Sequence, residues 1–471
     1  MDQQTSSSSR AQVSDGLPIP RRYWSMLSIW LALTMAVLDG AIANVALPTI
    51  ARELGVSPAA SVWVINAYQL TITVLLLPLA ALGDRIGYKR VYLPGLALFT
   101  LGSVGCAMAG SLAQLIASRA FQGIGAACIM SMNAALVRAT YPAKLLGRAI
   151  GYNAMVLSMA AAAGPTLAAL ILGVASWPWL FLINLPIGAA ALVVGSKALP
   201  GMRGHGEAFD WGSALLSAAM MGCVVFGAED FAREGRVGSL ALVAVGLTAG
   251  AVLVRREWRD PKPLIPLDLL RIPIFSLSIA TSVMSFAAQM LAYVALPFML
   301  QSVLGRSVIA TGLLMTPWPI AVGIAASFAG RLADRVNAGL LGGVGLVIFA
   351  LGLLSLSLLG SSPDNVDIAW RMAVCGLGFG IFQSPNNRTI VSAAPKARSG
   401  AAGGMLATAR LLGQTTGAVA VGAAFHGSGV GAAPRLMLAA SIVALVAAGL
   451  SLARLRVNPP GRVAIYKPII D

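Results

Sequence analysis

The chain has 471 residues, of which 58% are hydrophobic and only 11% are charged. Soluble globular proteins carry about 25% charged residues, so a chain this poor in charge cannot cover a folded surface in water. This excludes a soluble enzyme of two or three domains, a disordered chain and a secreted disulfide scaffold. The formal net charge of +16 would suit a nucleic-acid partner, unless the basic residues lie between apolar segments.

Fourteen apolar runs follow a polar N-terminal segment. Each approaches the roughly 20 residues that a helix needs to cross the hydrocarbon core of a bilayer. They predict membrane-spanning helices at 24–47, 61–82, 91–110, 112–136, 149–173, 177–196, 211–228, 238–255, 275–303, 309–329, 339–360, 369–392, 401–425 and 434–454. The polar segment has no apolar core, so we expect the first span to act as an uncleaved signal.

Lysine and arginine are distributed unevenly among the predicted loops. Most of the 33 basic residues fall on the side of the two termini, and Arg119 is the only one that this assignment leaves inside a span. By the positive-inside rule both termini are cytoplasmic. Topology therefore accounts for the basic surplus, and we expect no nucleic-acid partner.

The spans divide into six, two and six, and two related loops suggest a duplication. Segment 82–90 (Leu-Gly-Asp-Arg-Ile-Gly-Tyr-Lys-Arg) follows the second span, and segment 330–336 (Gly-Arg-Leu-Ala-Asp-Arg-Val) holds the corresponding place in the second six. Duplicated bundles are typical of secondary transporters. The predicted organisation is a cytoplasmic tail (1–23), a six-helix bundle (24–200), a two-helix insertion with linkers (201–262), a second six-helix bundle (263–456) and a cytoplasmic tail (457–471).

Two charged residues inside predicted spans are candidate functional groups. Asp39 follows Leu38 in the first span, and a carboxylate in a membrane is expensive and functional by default. Arg119 opens the segment Arg-Ala-Phe-Gln-Gly-Ile-Gly of the fourth span and needs a counter-charge, for which Asp39 is the obvious candidate. The alternative to a role in proton exchange is a structural pair that holds the two helices together.

Small residues and a proline mark the fifth span, where four alanines precede Gly164 and Pro165. Small residues let helix backbones approach closely, and a proline removes a helix hydrogen bond. Such a helix can seal one side of a cavity and rock. Ordinary small-residue packing is the alternative.

These motifs, in this order, resemble those of the major facilitator superfamily, and most closely its fourteen-span drug–proton antiporter branch. The resemblance implies an all-α polytopic membrane protein with two six-helix bundles and two extra helices between them. It further implies proton coupling by Asp39 with Arg119, and an antiporter motif at Gly164 and Pro165. It implies a conformational latch in the related loops, at Asp84, Arg85, Gly87, Lys89, Arg90, Asp334 and Arg335. A loop that only sets topology is the alternative for the latch.

Polar, methionine and aromatic residues within the spans are candidates for a substrate cavity, since flexible and aromatic walls suit varied hydrophobic ligands. They are Asn66, Tyr68, Gln69, Asn133, Asn153, Met155, Met159, Gln289, Tyr293, Met315, Trp318, Gln383 and Asn386. The chain has two histidines and no Walker A sequence. We therefore expect no metal site, no cofactor, no catalytic residues and no internal ATPase.

Together these features predict a carrier rather than an enzyme: a proton-coupled secondary transporter in the cytoplasmic (inner) membrane of a bacterium. It would export amphiphilic toxic compounds (drugs, dyes, biocides) by alternating access, with the bilayer, protons and the substrate as partners. The alternatives are an exporter of a specific metabolite, such as an amino acid derivative, a siderophore or a self-made antibiotic, and a non-transporting membrane receptor. Whether periplasmic or outer-membrane partners take part stays open.

The number of acidic residues inside the predicted spans limits the charge of the predicted substrate. The second six spans contain no carboxylate placed well inside a span, so monovalent lipophilic cations or neutral compounds fit better than divalent cations. We expect Asp39→Asn to abolish pH-driven transport while leaving the fold intact.

Overall fold

A computed structural model describes residues 16–201, 210–234, 237–258, 267–333, 335–395 and 398–457. The first half contains α1 (Arg21–Glu53), α2 (Pro58–Ser61), α3 (Trp63–Ile86), α4 (Tyr88–Ala107), α5 (Leu112–Thr140), α6 (Leu146–Val174), α7 (Trp179–Leu182) and α8 (Asn184–Ala198). A pair follows, α9 (Trp211–Glu234) and α10 (Val237–Glu257). The second half contains α11 (Pro273–Phe298), α12 (Val308–Met315), α13 (Pro317–Leu332), α14 (Ala338–Ser357), α15 (Asn365–Ala393), α16 (Ser399–Ser428) and α17 (Ala433–Val457).

Seventeen helices correspond to fourteen predicted spans because three spans are interrupted. The joints are Val62 between α2 and α3, Ile183 between α7 and α8, and Thr316 between α12 and α13. The backbone keeps right-handed helical angles at each joint, so each pair forms one span-length unit. Most of the predicted tails and parts of the linkers, together with Asp334, lie outside the described residues.

Within the described residues, eleven of these units are long and apolar enough to cross a membrane. The prediction of fourteen such spans is therefore met only in part. Helix α9 is apolar only over Trp211–Gly227, while α15 and α16 have full length but are more polar. Gln383 of α15, and Arg410 and Gln414 of α16, face an internal cavity, so part of the polarity of these two helices lies on their cavity side.

The two halves share one packing pattern. In the first half α1 packs against α6 and α8, and α5 packs against α3 and α4. In the second half α11 packs against α16 and α17, and α15 packs against α13 and α14. Helices α9 and α10 pack on each other, and α9 also contacts α3 and α16. The halves meet where α6 contacts α12 and α13, and where α3 contacts α16.

A close helix contact recurs in both halves and fixes their equivalence. A Cβ atom added to Gly125 of α5 would lie 2.3 Å from the backbone nitrogen of Phe99 in α4. A Cβ added to Gly378 of α15 would lie 2.3 Å from the backbone nitrogen of Phe349 in α14. Atoms cannot approach so closely without overlap, so glycine is required at both places.

The same equivalence exposes a difference between the halves. Arg119 lies six residues before Gly125, and the residue six before Gly378 is Met372, which is fully buried. The buried cation of the first half is therefore replaced by an apolar side chain in the second.

The prediction that Arg119 is the only basic residue inside a span is wrong, because Arg410 lies in the middle of α16 and lines the cavity. Arg454, in the last turn of α17, is only 2% exposed. Arg454 donates hydrogen bonds from Nη1 to Asn386 Oδ1 (2.7 Å) and Ser278 Oγ (3.0 Å). Neutral oxygens from neighbouring helices satisfy this cation, and sequence spacing does not reveal them.

Candidate functional site

A cavity of about 210 Å³ lies between the two halves. Helices α1, α3, α5 and α6 line it from the first half, and α11, α13, α15 and α16 from the second. The wall of the second half is aromatic: the rings of Phe286 and Phe379 are 5.3 Å apart, and those of Tyr293 and Trp318 are 5.7 Å apart. Both pairs have the edge-to-face geometry that aromatic rings prefer. The cavity therefore offers a rigid apolar surface to a ligand.

Part of the predicted cavity set lines this space. The lining residues from that set are Tyr68, Gln69, Gln289, Tyr293, Trp318 and Gln383. Met155 and Met159 are 52% and 63% exposed on another face of α6, because the positions of that helix that face the cavity are 157, 158 and 161.

The remaining predicted cavity residues also lie elsewhere. Met315 and Asn386 are fully buried, and Asn66 is almost fully buried. Asn133 and Asn153 are half-buried and do not line the cavity. These residues were selected by residue type alone, whereas helix rotation decides which of them reach the cavity.

Asp39 and Arg119 form a buried ion pair between α1 and α5. Arg119 Nη1 donates to Asp39 Oδ2, and the side chains are 0% and 1% exposed. Arg119 Nε also donates to the carbonyl of Val64 (3.0 Å), and the guanidinium lies 4.1 Å from the ring centroid of Tyr68. Arg119 and Tyr68 line the cavity, while Asp39 does not. The acid is therefore screened from the cavity by its own counter-ion.

Three neutral residues that sequence reasoning missed complete the surroundings of Asp39. Its Oδ1 accepts hydrogen bonds from Gln122 Nε2 (2.9 Å) and Asn184 Nδ2 (2.8 Å). Both amides also donate to Ser103 Oγ, at 2.8 and 3.2 Å. Gln122 stands three residues after Arg119 on one helix face, and this spacing was the available signal. The network joins α1, α4, α5 and α8 around one carboxylate.

The first predicted latch loop turns at Gly87, where φ is +101°. Only glycine adopts such a backbone easily. Tyr88 Oη donates to Asp84 Oδ1 (2.7 Å), and Lys89 Nζ donates to the carbonyl of Ser196 (2.6 Å) at the end of α8. A cation at a helix C-terminus is stabilised by the helix dipole. The loop is thus fastened to the last helix of its own half.

The other latch positions differ in their exposure and contacts. Arg90 Nη1 donates to the carbonyl of Ile86 (3.4 Å) within the same turn. Arg85 is half-buried, and Arg335 of the second loop is exposed. Because Asp334 lies outside the described residues, the second loop is seen only in part.

Gly164 and Pro165 lie at the junction of the two halves. A Cβ added to Gly164 would lie 2.4 Å from the Cβ of Ala41 in α1, two residues after Asp39. A Cβ added to Gly312 of α12 would lie 2.3 Å from the carbonyl oxygen of Pro165. Helix α6 therefore packs closely against the first half on one side and the second half on the other.

Hydrogen bonds between side chains cross the same junction. The pairs are Thr166 with Thr316 (2.6 Å), Gln69 with Gln414 (3.2 Å) and Thr73 with Thr415 (3.1 Å). Five of these residues belong to the helices through which the halves meet, and Thr316 is the joint between α12 and α13. The contact between the halves is thus partly polar.

Comparison with known proteins gives concordant results. A family model described as "Major Facilitator Superfamily" matches residues 29–418. The chain is 51% identical to the "Uncharacterized transporter YebQ" of Escherichia coli (strain K12), covering 95% of this chain and 98% of that one. It is 31% identical to the "Riboflavin transporter RibZ" of Clostridioides difficile (86% and 87% covered). It is 32% identical to the "Multidrug resistance protein Stp" of Mycobacterium tuberculosis (84% and 75% covered).

The fold has solved counterparts at low sequence identity. A bacterial homolog of the human lysosomal transporter Spinster superposes with a TM-score of 0.65 at 16% identity, covering 93% of this chain and 98% of that one. The family match, the relatives and the helical architecture agree. The protein is a polytopic membrane transporter, and the chain belongs to the Major Facilitator Superfamily.

Proposed function

We propose that the protein is a proton-coupled exporter of amphiphilic toxic compounds. It would work in the cytoplasmic membrane of a bacterium as a fourteen-span drug–proton antiporter, with α9, α15 and α16 also crossing the bilayer and both termini in the cytoplasm. The excess of basic residues in loops on the side of the termini supports this orientation. The relationship to a multidrug resistance protein supports the substrate class.

One observation carries the proposal: Asp39 and Arg119 form a fully buried ion pair, and Arg119 of this pair lines the cavity between the halves. Protonation of Asp39 would remove the charge that holds Arg119. The guanidinium would keep Gln122 Oε1 (2.6 Å) and the carbonyl of Val64 as acceptors, but its ion pair to α1 would be lost. Because α1 also packs against α6 at Gly164, proton binding would act on a helix that meets the second half.

A second candidate is an exporter of a specific metabolite. The relationship to a riboflavin transporter favours it, since that relative is named for the transport of one compound. The two candidates share the site and differ in the breadth of substrates. A non-transporting receptor differs from both, because it would carry no flux.

The proposal is tested by transport in proteoliposomes. We would reconstitute the wild type in vesicles with an acidic interior and follow the uptake of a panel of dyes, drugs and metabolites, with pyranine reporting internal pH. Uptake that raises the internal pH is expected, because protons leave the vesicle in exchange for each substrate molecule that enters. The matched control is Asp39→Asn/Arg119→Gln, which removes both charges of the pair together.

The outcomes separate the candidates. Uptake of many amphiphiles that depends on the pH gradient and is lost in the double variant supports the drug exporter. Uptake of a single compound supports the metabolite exporter. Equal uptake with and without a pH gradient, or normal coupling in the double variant, refutes the assignment of Asp39 and Arg119. Absence of any flux supports a receptor.

A further inference from the structure

The cavity between the halves contains a cation for which the described residues provide no acidic partner. Arg410 of α16 lines the cavity, and its guanidinium lies 5.6 Å from the ring centroid of Phe286. Its Nε is buried without a hydrogen-bond partner. Among the described residues no carboxylate forms an ion pair with it. Arg410 is half-buried, and a cation in a protein interior is disfavoured unless an opposite charge or hydrogen bonds compensate it, so an anionic group bound in the cavity would stabilise it.

The other unsatisfied groups around the cavity are mostly donors as well. Trp318 Nε1 and Arg119 Nη2 are buried without partners, and both residues line the cavity. The one unsatisfied acceptor among the described lining residues is Asn44 Oδ1. No Asp or Glu is among the described lining residues. The wall thus presents N–H groups and positive charge, which hydrogen-bond to acceptors.

The charge of Arg119 is already matched, whereas that of Arg410 is not. Asp39 pairs with Arg119 and lies outside the cavity lining, so it offers no counter-charge to a ligand. A cationic ligand would have to enter beside an uncompensated guanidinium in a low-dielectric space, where like charges repel strongly. An anionic ligand would meet the only uncompensated charge of the described lining.

The geometry also limits the rest of the ligand. Arg410 lies beside Phe286, whose ring continues through Phe379 into the aromatic wall. A planar apolar group fits such a wall by stacking or edge contacts, while a guanidinium binds a carboxylate or phosphate through two hydrogen bonds. The charged and apolar recognition elements are therefore adjacent.

We propose that Arg410 binds the anionic head group (a carboxylate, sulfonate or phosphate) of an amphiphilic substrate whose apolar body packs on the Phe286–Phe379 wall. This inference rests on the proposed export function and specifies its substrate class as acidic amphiphiles. It replaces the expectation from sequence that lipophilic cations fit the cavity, because that expectation considered buried acids and overlooked Arg410.

Binding of three matched probes tests the inference. We would titrate the full chain in phosphatidylcholine nanodiscs with dansylglycine, its neutral amide and a dansyl amide ending in trimethylammonium, using dansyl fluorescence. The wild type is expected to bind dansylglycine at least about tenfold more tightly than the cationic probe, as one charge-assisted contact provides. Arg410→Gln should remove this preference while binding the neutral amide as before, and Arg410→Lys should retain most of it. Arg435→Gln, which removes an exposed cation of α17, should behave as the wild type.

Several results would overturn the inference. These are equal or tighter binding of the cationic probe, an anion preference that survives Arg410→Gln, and a parallel loss of neutral-amide binding, which would mean that Arg410 only supports the wall. Competition by phosphatidylglycerol in the nanodiscs would assign the site to a lipid head group instead of a substrate. The proposed export function is judged separately, since pH-driven uptake of cationic compounds could persist in Arg410→Gln while the binding preference fails.

Discussion

The substitution Asp39→Asn tests whether the ion pair stabilises the fold in addition to its proposed role in proton coupling. Three donors converge on the Asp39 carboxylate, from Arg119, Gln122 and Asn184. Asparagine offers a single acceptor oxygen and brings two donors of its own, so at least one donor loses its partner. Arg119, at 0% exposure, would become an uncompensated buried cation.

The expected loss follows from these contacts. Removing one member of a buried ion pair costs about 3–5 kcal/mol, and the side chains here are 0% and 1% exposed. The sequence alone predicted an intact fold for this variant, and the burial of the pair replaces that prediction. The loss should appear as a lower free energy of unfolding in detergent-denaturation titrations of purified protein.

The double variant Asp39→Asn/Arg119→Gln separates the effect of the pair on stability from its proposed role in proton-driven transport. With both charges removed, the asparagine and glutamine can form a neutral hydrogen bond, so much of the lost stability should return while pH-driven transport stays absent. The coupling energy from the double-mutant cycle should be about 2–3 kcal/mol, within the range for residues in contact. If Asp39→Asn unfolds at the same detergent fraction as the wild type, the reasoning about the buried pair is wrong.

Three more substitutions test other contacts, each by the free energy of unfolding. Arg454→Leu leaves buried oxygens without a donor and should lower the free energy of unfolding by about 1–3 kcal/mol. Arg456→Leu, at an exposed site of the same helix, should change it little. Equal effects of the two substitutions would contradict the role of the buried network. Gly378→Ala forces a Cβ against a backbone nitrogen at 2.3 Å and should lose about 1–3 kcal/mol. Gly87→Ala places alanine at a φ of +101° and should lose a similar amount. Gly403→Ala, with no atom within 4 Å of the new Cβ, is the control for both glycines, and an equal loss there would refute both arguments.

The charged pair was accessible from the sequence because charges in apolar runs are rare. Asp39 and Arg119 stand alone within long hydrophobic segments, and their mutual need for a counter-charge suggested the contact that the structure contains. Gln122 and Asn184 are neutral amides, and neither needs a partner of a particular kind. Which carboxylate they reach depends on how four helices are rotated, which sequence spacing does not specify.

Arg410 was harder to place for a different reason. Its segment holds small and polar residues, which resemble a loop margin as much as a helix that faces a cavity. Only the position of Phe286 and the cavity around it distinguishes the two. Met155 and Met159 show the opposite error. Their residue type suits a cavity, but they lie on an exposed face of their helix.

The polar contacts between the halves have an energetic consequence for movement. Each side-chain hydrogen bond, such as that between Thr166 and Thr316 or between Gln69 and Gln414, contributes about 1 kcal/mol net. A proton that crosses a potential of 100 mV releases about 2.3 kcal/mol. The work of parting these bonds is therefore comparable to the energy released by one or two protons. The polar contacts between the halves can therefore act as a hinge, because the energy needed to break them is on the scale of the energy that single ions release in crossing the membrane.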